Sequence, residues 1–159
     1  TRPASTQDAA DIARIYNQGI EDRLARLETE LRTPDERGQW LAAKGSRHPV
    51  IVAEDDGAVA GWASLNVFNA REAYRFVADI SVYVERGWRG KGVGGVLLAR
   101  LIELAREHGF RKLVLSAFPF NQAGMALYEK FGFRTVGIYR EQGMLDGAWV
   151  DTIVMERLL

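Results

Sequence analysis

The stretch "RGWRGKGVGG", Arg86 to Gly95, holds five glycines and three basic residues in ten positions. It separates a strand-like run, Phe76 to Val84, from an amphipathic, helix-like run, Gly92 to His108. A glycine-rich turn that opens a helix exposes backbone N–H groups with no intrahelical partner, and with the helix dipole these form an anion site. Glycine also lets the backbone approach a phosphate closely and take positive φ. Arg89 and Lys91 add positive charge. The corner therefore predicts a pyrophosphate cradle, and a flexible surface turn with solvated charges is the alternative. It is not a Walker loop, because the closing Gly-Lys-Ser/Thr arrangement is missing.

The rest of the chain supplies elements on both sides of this corner. Thr6 to Ile20 places Ala9, Ile12, Ala13 and Tyr16 at helical spacing behind a cap candidate, Thr6 or Asp8. Glu21 to Arg32 reads as a loop or short helix. Pro34 opens a second helix running to about Lys44, with Trp40 and Leu41 facing inward. Pro49 to Ala53 and Val59 to Asn66 read as strands joined by an Asp-Gly hairpin turn in "EDDGAVAG". Val93, Leu97, Leu101 and Leu104 form one stripe of the helix after the corner. Arg111 to Ala117 is another strand, Gln122 to Phe131 a short helix, and Phe133 to Arg140 and Trp149 to Leu158 the last two strands. The order is mixed α/β with an antiparallel first half, unlike the strict β-α alternation of a dinucleotide-binding fold.

Composition removes several function classes. The chain has 159 residues, which suits one domain, 1–159, with a proper core. Lys plus Arg and Asp plus Glu are 21 each, which argues against a general nucleic-acid or membrane binder. No cysteine is present, so disulfides and thiolate chemistry are excluded, and two histidines alone make no metal site expected. With no apolar run near the roughly 20 residues of a membrane span and no signal-peptide core, a cytoplasmic protein is expected.

Arg89, Gly92 and Gly94 meet the Arg-x-x-Gly-x-Gly pattern by which the chain resembles the GCN5-related N-acetyltransferases. "SVYV" before the loop, Asn121, and "ALYEKFGF" from Ala126 to Phe133 extend the resemblance over nearly the whole chain. "IYNQGI", "REAYRFVADISVYV" and "GMLDGAWVDTIVM" are similar to the phosphinothricin and arsinothricin N-acetyltransferase branch. The resemblance implies a mixed, mostly antiparallel twisted sheet of about six to seven strands flanked by helices and splayed at an acetyl-CoA site. It implies acetyl-CoA as cosubstrate and acetylation of the α-amino group of a small glutamate-like antimetabolite. It also implies a homodimer, for which the apolar final strands would serve.

Acetyl transfer to an amine requires a positioned thioester, a polarised carbonyl, a deprotonated ammonium and a protonated thiolate. The resemblance implies that backbone groups of Val82, Tyr83 and Val84 pair with the pantetheine arm like an added strand. It implies that Arg89, Gly90, Lys91, Gly92, Val93, Gly94 and Gly95 take the pyrophosphate and that Asn121 bonds the pantetheine amide; plain helix capping is the other role open to Asn121. Asp79 is the candidate base. It alternates with Phe76, Ala78, Ile80, Val82 and Val84 to the opposite face of its strand, where a carboxylate costs free energy unless paired, hydrated or useful. The branch carries a glutamate there, and an unperturbed aspartate near pKa 3.9 takes a proton from an ammonium poorly without burial or a water relay. A structural pairing with an arginine is the alternative for Asp79. Tyr128 is the candidate acid for the thiolate, or else a core aromatic beside Leu127 and Phe131. Without cysteine, direct attack within a ternary complex replaces a cysteinyl acyl-enzyme.

For the acceptor, Arg71 is suited to grip a carboxylate, phosphinate or arsonate bidentately. Tyr74, Glu28 and Arg75 complete the candidate set, with a charged surface loop as the alternative for all four. Leu27 stands where the branch usually has phenylalanine, Arg26 where it has a small residue, Asn69 for a basic residue and Asp146 for a histidine. These departures fall near the presumed acceptor pocket and leave the cofactor residues intact. The competing functions are a general L-amino-acid acetyltransferase acting on methionine sulfoximine or sulfone, an acetyltransferase for protein N-termini or other amines, and a non-catalytic acyl-CoA sensor.

Overall fold

The computed structural model describes residues 1–24 and 27–159. In chain order the elements are β1 (Arg2–Pro3), α1 (Ala9–Glu21), α2 (Pro34–Ala43), β2 (Val50–Asp55), β3 (Ala58–Val67), β4 (Val77–Val84), α3 (Val93–Glu107), β5 (Lys112–Ala117), α4 (Gln122–Lys130), β6 (Arg134–Leu145) and β7 (Ala148–Leu158). The strands form one seven-stranded sheet in the order β1-β2-β3-β4-β5-β7-β6. Every neighbouring pair is antiparallel except β4 and β5.

Local chemistry sets the boundaries. Thr33 accepts a hydrogen bond from the Glu36 N–H at 3.1 Å, and Pro34 occupies the first helical position, so α2 starts as its sequence requires. Asp56 and Gly57 turn the β2–β3 hairpin at φ 51° and 82°, the paired left-handed values of a type I′ turn. Asp146 and Gly147 repeat it between β6 and β7 at 52° and 79°. The final hairpin is longer than its sequence pattern indicates, because β6 carries a three-residue bulge at Arg140 to Gln142 and then resumes pairing to Leu145. β1, an edge strand of two residues, is too short to show any period.

Strand alternation divides the core into two. Ile51, Ala63, Leu65, Ala78, Ile80, Leu113 and Leu115 face α3, which buries Leu97, Leu98, Leu101 and Ala105 against them. The opposite face carries Val50, Val52 and Trp62 under Ile12, Ile15, Tyr16 and Ile20 of α1. Trp62 is fully buried, stacked on Tyr83 at 4.7 Å and met edge-on by Trp40 at 5.5 Å. β4 lies at the centre of the sheet with one face in each core, so what happens along it is felt on both sides.

Candidate active site

β4 and β5 pair only from Val77–Lys112 to Asp79–Val114. Beyond that point they diverge, while β4 stays paired with β3 as far as Val84–Gly61. The Glu85 N–H donates to the Ala60 carbonyl at 2.8 Å. Antiparallel alternation then directs the odd-numbered main-chain groups of β4 to β3 and turns those of Val82 and Val84 away from it. They face a cleft of about 340 Å³ walled by Ile80 to Val84 on one side and Leu115 to Ala117 on the other.

The glycine corner closes one end of this cleft. Gly90 and Gly92 adopt φ of 77° and 86°, and Gly92 is the N-cap of α3. The first amides of α3 therefore point out of the helix with no carbonyl a turn earlier to receive them. Gly94 has a different reason: a Cβ there would lie 3.0 Å from Leu127 Cδ2, so its absence lets α4 pack on α3. Arg89 lines the cleft, and its guanidinium is paired with Asp22 at 2.6 Å. Asp22 also holds Arg86 through two contacts of 2.9 Å. Hydrogen bonds from Arg86, then Arg89, keep the Asp22 carboxyl below the ordinary aspartate range. Of the expected cofactor residues, Val82, Tyr83, Val84, Arg89, Gly90, Gly92, Val93, Gly94, Gly95 and Asn121 all line the cleft. Lys91 does not; its ammonium sits 5.5 Å from the Trp88 ring, which offers a closer partner than the cleft.

Asn121 caps α4 by accepting from the Gly124 N–H at 3.1 Å and donates to the Leu24 carbonyl at 3.2 Å. Tyr128 forms part of the wall, with its ring edge-on to Phe133 at 5.7 Å. It is thus at once a core-packed aromatic and a cleft residue.

A second cleft, about 260 Å³, opens on the other side of β5 and is lined by Leu27, Asp79, Ser116, Ala117, Phe118, Tyr139, Gln142 and Thr152. Ser116 and Ala117 line both clefts, so the two meet at the end of β5. The bulge in β6 supplies Gln142. Asp151 holds that bulge, accepting from the Glu141 N–H at 2.8 Å and pairing with Arg140 at 3.0 Å. Leu27 packs so close to Gly143 that a Cβ there would fall 2.6 Å from its Cδ1.

The expected acceptor residues are not brought to either cleft. Arg71 is exposed at the start of the turn Glu72–Tyr74, with its N–H on Asn69 Oδ1 at 2.9 Å. Tyr74 lies on Phe68 at 5.6 Å, and Arg75 covers Phe76 at 4.3 Å while pairing with Glu72 at 3.4 Å. Glu28 accepts the Thr29 and Glu30 N–H groups at 3.1 Å each and pairs with Arg32 at 2.8 Å. The Glu28 carboxyl is lowered by the Glu30 N–H first, with Arg32 contributing. For Tyr74, Arg75 and Glu28 a partner nearby in sequence takes the side chain, whereas the contact of Arg71 is made by its backbone. Of the departures from the branch pattern, Leu27 lines the second cleft, Asp146 is engaged by Arg23 at 2.9 Å, and Arg26 lies outside the described residues. Phe118, Tyr139, Gln142 and Thr152 escaped the sequence analysis; of these only Thr152 carries a usable signal, two-residue alternation along β7.

The description "Acetyltransferase (GNAT) family" matches residues 12–133. An L-methionine sulfoximine/L-methionine sulfone acetyltransferase of Salmonella typhimurium is 32% identical over 156 residues, covering 98% of this chain and 91% of its own. The crystal structure of a phosphinothricin acetyltransferase from Sinorhizobium meliloti in complex with acetyl-CoA superimposes with a TM-score of 0.93 at 32% identity, covering 99% of this chain and 86% of that one. A ribosomal-protein-alanine N-acetyltransferase from Brucella melitensis superimposes with a TM-score of 0.95 at 36% identity, covering 99% and 98%.

Proposed function

The chain belongs to the acetyltransferase (GNAT) family and uses acetyl-CoA as cosubstrate, and on that premise we propose that it acetylates the α-amino group of a small glutamate-like amino acid of the phosphinothricin or arsinothricin type. The observation that carries this reading is the junction of the two clefts at Ser116 and Ala117. A thioester held along β4 would reach the junction from one side and a small amine from the other, within a direct-attack geometry.

Acetyl-CoA supplies an activated acetyl group on sulfur. The residues present fit it: an open β4 edge for the amides of the pantetheine, and left-handed glycines before the free amides of α3 for the pyrophosphate. In the reaction the amine nitrogen forms the new bond to the carbonyl carbon as the carbon–sulfur bond breaks. One proton leaves the ammonium and another reaches the departing thiolate. Asp79, in the acceptor-side cleft, is assigned the first, directly or through water, and Tyr128, in the cofactor cleft, the second. Arg71, Tyr74, Arg75 and Glu28 are assigned to the acceptor. The loop carrying the first three joins β3 to β4 at the end of β4 that bears Asp79.

One observation favours a second acceptor. No cation is among the described residues lining the acceptor-side cleft, where Gln142, Thr152 and Ser116 offer neutral hydrogen-bonding groups. A neutral sulfoximine or sulfone suits that lining better than a charged phosphinate.

The test is steady-state release of CoA with phosphinothricin, arsinothricin, L-methionine sulfoximine, glutamate and a peptide amine as acceptors, with Arg71→Ala alongside. High kcat/KM for an anionic antimetabolite, lost in Arg71→Ala, supports the main reading. High kcat/KM for the sulfoximine alone, indifferent to Arg71→Ala, supports the second. Turnover confined to the peptide amine refutes both.

A further inference from the structure

A partly buried ammonium is bound to Asn66, the β3 residue opposite Asp79, and has no part in the chemistry assigned so far. Lys44 caps the C-terminus of α2, and its side chain turns inward under Trp40, with Nζ 5.1 Å from the ring. The ammonium donates to the Leu65 carbonyl, and to Asn66 Oδ1 at 2.9 Å. Asn66 is the β3 residue directly opposite Asp79. Its Oδ1 also receives the Ser64 hydroxyl at 3.0 Å, and its amide donates to Ser81 Oγ at 3.1 Å. Ser64, Asn66, Asp79 and Ser81 thus form a polar block on one face of β3 and β4, beside the aromatic pair Trp62 and Tyr83. Burial lowers the Lys44 ammonium to about 8, and the Asp79 carboxylate opposes that fall. Asp79 lines the acceptor-side cleft and Lys44 does not.

We propose that Lys44 is a positioning residue for acetyl transfer: its ammonium, anchored on Leu65 and Asn66, holds the Asp79 carboxylate charged while that carboxylate faces the acceptor. The inference rests on the role given to Asp79. A carboxylate in a half-buried strand tends to take a proton and become a poor acceptor. A fixed cation outside the cleft prevents this without competing with the substrate ammonium for space. Among the described residues, three further charged groups near the pair are placed differently. Arg47 and His48 lie beyond α2, where burial first, and then Lys44 and Arg47, disfavour the charged imidazole. Lys112 shares the Asp79 face two residues before Val114 and is paired with Glu156 across β7. Tyr139 faces Asp79 within the cleft.

The test is titration of the Asp79 carboxyl carbon by NMR in the wild type, Lys44→Met, Lys44→Gln and Lys44→Arg. A pH profile of CoA release with L-methionine sulfoximine and phosphinothricin accompanies it. Loss of an opposite charge at short range raises a carboxyl by about one unit or more. Asp79 should therefore titrate at least about one unit higher in Lys44→Met and Lys44→Gln, and return to the wild-type position in Lys44→Arg. The acid limb of kcat/KM should move with it, costing on the order of ten-fold on that limb, with KM for acetyl-CoA unchanged. Lys44→Gln keeps a donor for the Leu65 carbonyl and guards against a folding defect in Lys44→Met. An Asp79 titration and acid limb that stay put in both neutral variants overturn the inference, whatever happens to Tm. Asp79→Asn separates the two failures: if it leaves rate and acid limb intact, the role of Asp79 falls and the inference with it.

Discussion

Gly61→Ala tests whether the cofactor cleft depends on how closely three elements meet beneath it. Gly61 lies in β3 opposite Val84 of β4 and under the first turn of α3. A Cβ there would stand 2.8 Å from the Tyr83 carbonyl oxygen, 3.0 Å from Leu97 Cδ1 and 3.1 Å from Val93 Cγ1. The two side-chain contacts can relax by small rotations, although Leu97 is fully buried and has little room. The Tyr83 oxygen belongs to the backbone and can move only with β4. It is about 0.6 Å short of ordinary contact. Beyond Asp79 no strand supports β4 on its other edge, so relief pushes Val82 and Val84 into the cleft.

Overpacking of this kind costs about 1–3 kcal/mol, offset by about 0.4–1 kcal/mol from the stiffer unfolded chain. A net loss of about 1–2 kcal/mol is expected by urea denaturation. Displacing the strand proposed to hold the pantetheine should raise KM for acetyl-CoA on the order of ten-fold, equivalent to about 1.4 kcal/mol, with a smaller change in kcat. Gly137→Ala is the control. Gly137 lies in β6 with nothing within 4 Å of its added Cβ, and there the same change should be neutral within about 0.5 kcal/mol. A Gly61→Ala protein matching the wild type in both urea midpoint and KM for acetyl-CoA would refute the claim that close approach at Gly61 shapes the cleft.

Tyr128→Phe should lower kcat by about 10²-fold or more at unchanged KM for acetyl-CoA if the phenol protonates the thiolate; initial rates that fall less than two-fold would return Tyr128 to packing alone. Asp8 is buried, and hydrogen bonds from Arg2, then from the Ser5 N–H, lower its carboxyl in the fold. A depressed folded value means that its stabilisation is fully present above the unfolded value near 3.9 and is lost as pH falls through the folded one. Asp8→Asn should remove about 1–3 kcal/mol at pH 7 and flatten the acid decline in the urea midpoint; an unaltered decline would show that Asp8 is not its source. The outer hairpin exposes Trp149 by 61%, Tyr139 by 56%, Met144 by 54% and Val136 by 51%, and we propose that this apolar surface is where the homodimer implied by the family resemblance forms. Light scattering should give a dimer mass that Trp149→Lys reduces to a monomer, and a monomer in the unaltered protein would end that proposal.

The fold was largely legible because its signals are local. The Asp56-Gly57 turn, a proline at the start of α2, the alternation of β4 and the stripe of α3 each fix their element within a few residues, whereas the equivalent turn at Asp146 and Gly147 was not read from the sequence. The bulge at Arg140 to Gln142 was not legible, since it depends on Asp151 of the neighbouring strand to receive the Glu141 N–H. Nor was the Arg89–Asp22 pair, whose partners are 67 residues apart. Lys44 escaped for a related reason. In sequence it is a charged residue closing a helix, and only the folded position of β3 brings the Leu65 carbonyl and Asn66, opposite Asp79, to its ammonium.

The two halves of the site differ in legibility because they recognise by different means. The cofactor side works through main chain: a strand edge, helix-start amides, and glycines whose φ other residues resist. Such features leave a mark in sequence at the place where they act, and Arg89 beside them is paired with an Asp22 that Arg86 also engages. The second cleft, the proposed acceptor side, is lined by side chains drawn from the segment at Leu27, from β4, from the end of β5, from the β6 bulge and from β7. None of these is constrained by its own neighbours in sequence, and each can change without disturbing the glycine corner. A chain of this design can keep its acetyl donor fixed while its acceptor drifts. The acceptor must therefore be found by assay, and the side chains to vary are Leu27, Tyr139, Gln142 and Thr152 rather than the loop that makes the family recognisable.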